Sequence, residues 1–323
     1  MKHLSIVMYH YVRPIKNSKY PNIKGLELEL FKQQLFFFKT HFSVVTMEEV
    51  IDSLSGKCTL PDNAVLLTFD DGYMDHYQHV FPLLKQYNMQ GSFFVPSGIL
   101  KYEQVLDVNK IHFILACVQL EELLPKVYAM LREYRDKGYE IESDDVLFSK
   151  LAVANRWDSK EVIFVKRLLQ SYLDESLRGE MVNRLFEEAV GVPEREFSHE
   201  LYVNLEQIKE MKNAGMYFGL HGERHYWLNH LPVDKMKEDI NNSLEYFRDV
   251  MDMDYLAMNY PYGGYNEDVL AYCKSIGCKL GFSVEARHVD FDRDNPLAVP
   301  RLDTNDFPPK SENYKNMYIR LDK

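Results

Sequence analysis

Two adjacent carboxylates follow an apolar run in the segment LLTFDDGY (66–73). Neighbouring residues at the end of a strand point in different directions, so Asp70 and Asp71 can take separate roles in one pocket. The carboxyl edge of parallel strands is where α/β proteins build their sites. The structural alternative is a turn that caps a helix, because Asp-Gly is also a strong turn signal.

Two histidines four residues apart form the second candidate, in GLHGERH (219–225). His221 and His225 can present both imidazoles to one metal ion, although a chain with 11 histidines can contain such a pair by chance. The zinc-protease pattern HExxH is excluded, because Gly222 stands where its glutamate belongs and Glu223 comes one residue later. Two histidines and one carboxylate are a common ligand set for a catalytic divalent metal, which leaves the second carboxylate free to act as a base on water.

A turn-rich segment, MNYPYGGYN (258–266), is the third candidate. It again follows an apolar run, and its residues Pro261–Gly264 expose backbone N–H groups that could stabilise an oxyanion. On its own the segment is equally consistent with a simple turn.

The elements that must position these residues are short runs rich in Val, Ile, Phe and Tyr, separated by helix-like segments. The predicted strands are LSIVMYH (4–10), FSVV (42–45), AVLLTFD (64–70), GSFFVP (91–96), MYFGLH (216–221), YLAMNYP (255–261) and KLGFSV (279–284). The predicted helices between them include 29–42, 80–89, 233–251 and 266–277, the last ending on Gly277 as a C′ residue. Strands that alternate with helices predict a parallel sheet covered by helices, either open or closed into a barrel.

Residues 101–200 depart from this alternation. Segments 111–134 and 159–190 have the periodicity of long amphipathic helices, with no strand pattern between them. We therefore predict an α/β domain formed by residues 1–100 and 201–323. The helical insertion at 101–200 would act as a lid or specificity subdomain beside the mouth of that domain.

Composition excludes several classes of partner. A net charge of −11 gives no support to a nucleic-acid groove, and no apolar run is long enough to span a membrane. LSIVMY is too short for the apolar region of a signal peptide. The four cysteines, Cys58, Cys117, Cys273 and Cys278, form neither a CxxC motif nor a disulfide framework. We therefore expect a cytoplasmic protein.

The three segments, in this order, resemble the motifs of the polysaccharide deacetylase family, the NodB-homology amide hydrolases of carbohydrate esterase family four. The resemblance covers roughly residues 1–100 and 205–305 and implies a distorted (β/α)7 barrel. TFDDG resembles the first motif, which implies Asp70 as catalytic base and Asp71 as metal ligand. HGERH implies His221 and His225 as the other ligands of Zn²⁺, or of Co²⁺, Ni²⁺ or Mn²⁺. YPYG implies that the backbone N–H of Tyr262 helps to form the oxyanion hole.

Two departures from the family motifs affect the site. Gly222 replaces the usual hydroxyl residue of the second motif, and Asn259 stands where the third motif carries an arginine that pairs with the base. VPRLD (299–303) offers a replacement, because Arg301 on a late strand could hold Asp70, and Asp303 could extend the pair. An ordinary surface arginine is the alternative for Arg301.

The general acid is the third departure. Compact members of the family take an acid histidine from a late LxH motif, whereas the only histidine after residue 284 is His288, in a segment unlike that motif. In the branch resembling the poly-N-acetylglucosamine deacetylases the motif order is permuted, and the acid comes from an N-terminal strand reading YH. MYHYV fits that pattern and implies His10 as the acid. Four further histidines lack a partner motif and are predicted to be structural: His76, His79, His199 and His230.

The resemblance implies a metal-dependent hydrolase that removes an N-acetyl group from an N-acetylated sugar. For a cytoplasmic enzyme we expect a nucleotide-linked, lipid-linked or oligosaccharide substrate from polysaccharide, O-antigen or capsule biosynthesis. Two alternatives stay open. A related amide hydrolase acting on a formamide or a cyclic ureide would use the same metal centre. A saccharide-binding protein without catalysis would need neither a base nor an acid.

Overall fold

The computed structural model of the protein describes residues 4–154 and 158–317. The chain divides into two compact units. The first contains the described residues up to Pro14, Gly25–Gln104 and the described residues from Ser198 onward. The second contains Ile15–Lys24 and the described part of Val105–Phe197. Residues 1–3, 155–157 and 318–323 of the predicted domains lie outside the described ranges.

The first unit is built on parallel strands. They are β1 (Leu4–Tyr9), β2 (Val12–Arg13), β3 (Leu26–Glu27), β4 (Ser43–Val44), β5 (Ala64–Asp70), β6 (Ser92–Val95), β7 (Tyr217–Leu220), β8 (Ala257–Asn259), β9 (Leu280–Phe282) and β10 (Leu302–Asp303). The order in the main sheet is β10-β1-β5-β6-β7-β8-β9, β4 pairs with the start of β5, and β2 and β3 form a separate pair. All predicted strands are present, most of them one or two residues shorter than predicted, whereas β2 and β3 were not predicted.

The two edges of the main sheet approach each other through the segment that leads into β10. The N–H of Val299 donates to the carbonyl of Gly281 in β9, and the N–H of Ser283 donates to the carbonyl of Val299, both at 2.8 Å. Three residues later, Leu302 pairs with Val7 of β1. The sheet is therefore curled into the distorted (β/α)7 barrel that the family resemblance implies.

The helices, numbered in chain order, are α1 (Leu28–His41), α2 (Met47–Leu54), α3 (Phe81–Tyr87), α4 (Gly98–Lys101), α5 (Asp107–Cys117), α6 (Leu120–Asp136), α7 (Asp144–Leu151), α8 (Lys160–Arg167), α9 (Glu175–Val190), α10 (Glu194–Leu201), α11 (Leu205–Asn213), α12 (Val233–Tyr246) and α13 (Glu267–Ser275). Local sequence sets several ends. Thr46 and Glu49 form a capping box at the start of α2, and Gly277 adopts the positive φ expected of a residue just past α13.

The second unit is helical throughout its described elements, but its helices are shorter than predicted. The predicted helix 111–134 is interrupted at Val118 and Gln119, whose backbones are extended. The predicted helix 159–190 is interrupted at Leu173 and Asp174, also extended, before α9 begins. Aspartate favours the N-cap position, so Asp174 marks the start of a new helix instead of continuing the previous one. None of the helices in 4–154 and 158–317 is long and apolar enough to cross a membrane.

Alternation along the strands separates the core of the barrel from its polar end. Leu66, Phe94 and Ala257 belong to the buried apolar cluster inside the barrel. Because side chains on one face of a strand recur every second residue, Asp70 and Asn259 point the same way as Leu66 and Ala257. The carboxyl ends of β5 and β8 thus bring polar side chains to the same end of the barrel.

Candidate active site

The first site segment turns sharply where β5 ends. Asp70 and Asp71 are both nearly inaccessible, with 2% and 3% of their surfaces exposed. Asp71 has a positive φ of 73°, and its N–H donates to the carbonyl of Phe94 in β6 at 2.9 Å. This left-handed residue, which Asp tolerates better than most, turns the Asp71 side chain away from that of Asp70.

The second site segment is a loop after β7 that is held through its backbone. The N–H groups of Glu223 and Arg224 donate to the two carboxylate oxygens of Asp239 in α12, at 3.0 and 2.9 Å. Gly222 has a φ of +69°, and a Cβ there would lie 2.5 Å from Asp239 Oδ2. Glycine suits position 222, because its φ is positive and because a Cβ would have to displace the Asp239 carboxylate. The family motif carries a hydroxyl residue at this position.

The opposite side of this loop packs against the segment after β6. The carbonyls of Gly222 and Glu223 accept hydrogen bonds from the N–H groups of Ser97 and Gly98, at 3.2 and 2.9 Å. A Cβ on Gly98 would lie 2.4 Å from the carbonyl oxygen of Glu223, so the two backbones are in direct contact. The carboxylate of Glu223 is itself held by Lys101, Tyr102 and Asn242. Hydrogen bonds on both sides make this a rigid support for the histidines at its ends.

Three side chains converge at the barrel end in the geometry of a metal site. Asp71 Oδ1 lies 3.3 Å from Nε2 of His221 and 3.3 Å from Nε2 of His225. The ligating atoms of the three residues all lie within 4.8 Å of one another, and all three residues are buried. Asp71 Oδ1 has no hydrogen-bond partner among the described residues. Such an orphaned carboxylate oxygen between two imidazole nitrogens fits a divalent cation.

The histidine tautomer also suits a metal. Nδ1 of His221 lies 2.7 Å from the carbonyl oxygen of Asn259. Because a carbonyl can only accept, Nδ1 carries the proton and Nε2 keeps its lone pair for a ligand. The main chain of Asn259 therefore orients His221, while the side-chain amide of Asn259 is buried without a hydrogen-bond partner in the described ranges.

The second oxygen of Asp71 is bound by a residue that the sequence reasoning missed. Tyr73 donates its hydroxyl to Asp71 Oδ2 at 2.5 Å. Burial, together with the charge of Asp71, raises the pKa of Tyr73 well above its ordinary value, so this hydroxyl remains a donor. Burial opposes ionisation of Asp71, but the neighbouring imidazoles of His221 and His225 outweigh it and hold the pKa of Asp71 well below its usual range.

Asp70 is paired with Arg301 in the barrel interior. Nη1 of Arg301 donates to Asp70 Oδ1 at 2.9 Å and to the hydroxyl of Thr68 at 3.2 Å. Its Nε donates to the carbonyl of Ser283 at 3.1 Å. Burial alone would raise the pKa of Asp70, but the charge of Arg301, with smaller contributions from His10 and His221, brings it below its ordinary value.

The predicted extension of this pair to Asp303 is wrong. The Asp303 carboxylate accepts hydrogen bonds from the backbone and side-chain N–H groups of Asn305. Asp303 is thus the cap of the short helical turn Thr304–Asp306, a local role that residues of its type favour.

His10 directly follows β1 and lies beside Asp70. Its Nε2 is 3.8 Å from Asp70 Oδ2, and 41% of its side-chain surface is exposed. Tyr9 and Tyr11 on either side are buried. Tyr9 stacks on Phe69 with ring centroids 4.9 Å apart, and Tyr11 stacks on Tyr73 at 4.0 Å. The two tyrosines anchor the strand end, and His10 between them faces the open side of the site.

Tyr262 lies against His225, one of the three converging side chains. Its ring centroid is 4.6 Å from that of His225 and 4.7 Å from that of Trp227, with which it is almost parallel. Its backbone has a positive φ of 57°. Asp71, His225 and Tyr262 are three of the six non-glycine residues with positive φ in the described ranges. Such strained backbones, which cost roughly 1–3 kcal/mol each, cluster at functional sites.

The five other histidines considered in the sequence analysis have varied surroundings. His288 is buried between the Ser5 hydroxyl and the carbonyl of Tyr314. His199 pairs with Glu103, and His230 stacks on Trp227. His79 is half-buried, and burial lowers its pKa. Nε2 of the fifth histidine, His76, lies 2.9 Å from the carbonyl oxygen of His10, a contact that no sequence motif indicates.

Known proteins resemble this chain in sequence and in fold. The curated Bacillus subtilis (strain 168) protein YxkH, named as a polysaccharide deacetylase, is 29% identical over 92 residues, which is 28% of this chain and 31% of YxkH. The Streptococcus pyogenes deacetylase PplD, solved in complex with acetate, superposes with a TM-score of 0.61 at 19% identity, covering 98% of this chain and 99% of PplD. IcaB from Ammonifex degensii superposes with a TM-score of 0.55 at 20% identity, covering 96% of this chain and 95% of IcaB.

These structural similarities establish a shared fold. The sequence pattern of the polysaccharide deacetylase family matches residues 57–146 and 186–281, which together make up more than half of the chain. The matched ranges include the segments that contain Asp70, Asp71, His221, His225 and Tyr262. The chain belongs to the polysaccharide deacetylase family.

Proposed function

We propose that this protein is a metal-dependent hydrolase that removes the N-acetyl group from an N-acetylated saccharide. The observation that carries the proposal is the convergence of Asp71 Oδ1 with the Nε2 atoms of His221 and His225, next to the Asp70–Arg301 pair. When bound there, a divalent cation supplies Lewis-acid polarisation of the amide carbonyl and activation of a water molecule. One carboxylate and two imidazoles suit Zn²⁺, with Co²⁺, Ni²⁺ and Mn²⁺ as alternatives.

Asp70 is the proposed general base. Its low pKa keeps the carboxylate ionised, and Arg301 fixes one of its oxygens while the other faces His10. A carboxylate held in this way can accept the proton of a water molecule that attacks the amide carbon. Arg301 acts by orienting and ionising Asp70, the task that the arginine missing at position 259 performs in the family motif.

His10 is the proposed general acid. Breaking the amide bond requires a proton on the departing nitrogen, because an amide anion is a very poor leaving group. His10 is exposed toward the substrate side and lies 3.8 Å from the base, so one saccharide amide can contact both residues. In this scheme the backbone N–H of Tyr262 stabilises negative charge on the carbonyl oxygen.

The substrate and compartment are further parts of the proposal. All four cysteines are free thiols, which suits the reducing cytoplasm. A cytoplasmic enzyme of this type would act on a nucleotide-linked, lipid-linked or oligosaccharide intermediate of polysaccharide, O-antigen or capsule biosynthesis. The helical unit would contribute to the choice among these substrates as a lid or specificity element.

The proposal is tested by metal analysis followed by a product screen. The protein reconstituted with one equivalent of Zn²⁺ is incubated with N-acetylated oligosaccharides and nucleotide sugars, and acetate, formate and ammonia are measured. Acetate release that depends on the metal supports the proposal. Formate or ammonia from formamide or ureide substrates would instead identify a related amide hydrolase. Saccharide binding without any release would identify a binding protein.

A further inference from the structure

The main chain around His10 is held by two residues in the helical turn that follows Asp70 and Asp71. Nε2 of His76 lies 2.9 Å from the carbonyl oxygen of His10. Asp75 Oδ2 accepts hydrogen bonds from the N–H of Val12 at 3.2 Å and from Nε of Arg13 at 2.7 Å. Hydrogen bonds with two consecutive residues of one helical turn thus fix the backbone at His10 and two residues beyond it.

The imidazole of His76 is suited to donate one hydrogen bond and no more. Only 1% of its surface is exposed, and the rings of Phe69, Tyr73 and Phe93 surround it with centroids 5.5 to 5.7 Å away. Because the carbonyl of His10 can only accept, Nε2 carries the proton. Nδ1 has no hydrogen-bond partner in the described ranges, and burial lowers the pKa of His76, so the ring is neutral.

His10 needs such support because its own side chain is only loosely packed. With 41% of that side chain exposed, the direction of the imidazole depends on where the backbone of the strand end lies. The residues that fix this backbone are only five and six positions after the base, Asp70. A shift of about 1 Å in a catalytic group can cost roughly a hundredfold in rate.

We propose that Asp75 and His76 are positioning residues that act through His10, connecting the general acid to the helical turn that follows the strand of the general base. The inference rests on the proposed function, in which His10 is the acid. It gives His76 a role beyond the structural one expected from the sequence, and it explains why an imidazole donor lies in an otherwise aromatic pocket.

Paired substitutions separate positioning from packing. His76→Phe keeps a ring in the aromatic pocket but removes the donor, whereas His76→Gln keeps an N–H donor at a similar reach. We expect His76→Phe to lower kcat by roughly tenfold or more, and His76→Gln to restore most of it, with the metal content unchanged in both. His79→Phe, three residues further along the same helical turn, is the matched control and should retain activity.

A double-mutant cycle with His10→Ala tests the route of the effect. If His76 and Asp75 act through His10, then His76→Phe and Asp75→Ala should change kcat by no more than about twofold once His10 has been replaced. Full additivity, with the same loss in both backgrounds, would overturn the proposal. So would a His76→Phe enzyme with normal kcat.

Crystal structures of the same variants distinguish failure of this inference from failure of the proposed function. In His76→Phe the His10 imidazole should move from its position 3.8 Å from Asp70. An unmoved His10 would contradict the inference whatever the activity. If the wild-type protein releases no acetate, the proposed function fails, while the position of His10 still decides whether His76 holds it.

Discussion

Replacing Arg301 by methionine removes the positive charge that accompanies Asp70 inside the barrel. The two side chains are 1% and 3% exposed, and their contact distance is 2.9 Å. Methionine fills a similar volume with an apolar chain, so the substitution chiefly leaves a buried carboxylate without its counter-ion. It also removes hydrogen-bond donors to Thr68 and to the carbonyl of Ser283.

The expected loss is large. Removing one partner of a buried ion pair destabilises a protein by about 3–5 kcal/mol, because the remaining charge is neither solvated nor paired. A domain is stable by only about 5–15 kcal/mol, so the variant should lose a large part of its free energy of unfolding. Lys57→Met is a suitable control, because Lys57 pairs with Asp52 at the same distance of 2.9 Å but at the surface. The loss of stability in this control should be much smaller.

The loss of stability caused by Arg301→Met should be larger at neutral pH than at acidic pH. In the wild-type protein the pKa of Asp70 is lowered, so its stabilising contribution is present above the unfolded pKa of about 3.9 and disappears as the pH falls through the folded value. In the variant, burial is no longer offset by Arg301 and the pKa of Asp70 rises. Protonation then relieves the buried charge, so the difference between the two proteins should be largest near neutral pH and smaller near about pH 4.5.

Equilibrium urea denaturation of the metal-free proteins, followed by circular dichroism at both pH values, measures this difference. A chelator is present in every sample so that metal binding at the neighbouring Asp71 does not contribute. A loss below about 1 kcal/mol at neutral pH would refute the buried-pair reasoning, because that is the range of exposed pairs. A loss of equal size at both pH values would show that Arg301 stabilises the barrel by packing rather than through Asp70.

Three further substitutions address the site. His10→Ala should lower kcat roughly 10²-fold with unchanged metal content, and near-normal turnover would contradict its assignment as the acid. His225→Ala should lose the bound metal, as measured by elemental analysis, and an active variant that retains one equivalent would overturn the ligand set. Asp239→Ala frees the backbone of Glu223 and Arg224 and should weaken metal affinity by about 10–100-fold in a competition with a chromogenic chelator. Unchanged affinity would show that the loop does not depend on Asp239.

Much of the barrel could be predicted from the sequence, because buried parallel strands are continuous apolar runs. The strand 64–70 was predicted with its observed bounds, since it ends where two carboxylates and a glycine begin. The convergence of Asp71, His221 and His225 follows from the same rule, because parallel strands bring their carboxyl ends to one edge. The pairing of Arg301 with Asp70 was expected only because this chain has Asn259 where the family motif carries an arginine.

The interactions that sequence reasoning missed depend on tertiary contacts with no local signature. In the sequence, Asp239 is an ordinary acidic residue of an amphipathic helix. Its role in holding the loop after β7 becomes visible only in the packing of α12 beside that loop. In the sequence, His76 resembles a solvent-facing helix residue. In the structure it is buried, and it contacts the carbonyl oxygen of His10 after the end of β1. The pair β2 and β3 contains only two residues per strand, which is too short for any periodicity to indicate.

In the proposed function, Asp71, His221 and His225 hold a metal on which removal of an N-acetyl group depends. The decisive measurement is acetate release from an N-acetylated oligosaccharide by the apo-protein and by the protein after addition of one equivalent of Zn²⁺. We predict release after addition of the metal, none in its absence, and none from an Asp71→Ala variant at the same metal concentration. Equal release by the apo-protein, or by the Asp71→Ala variant, would contradict the account.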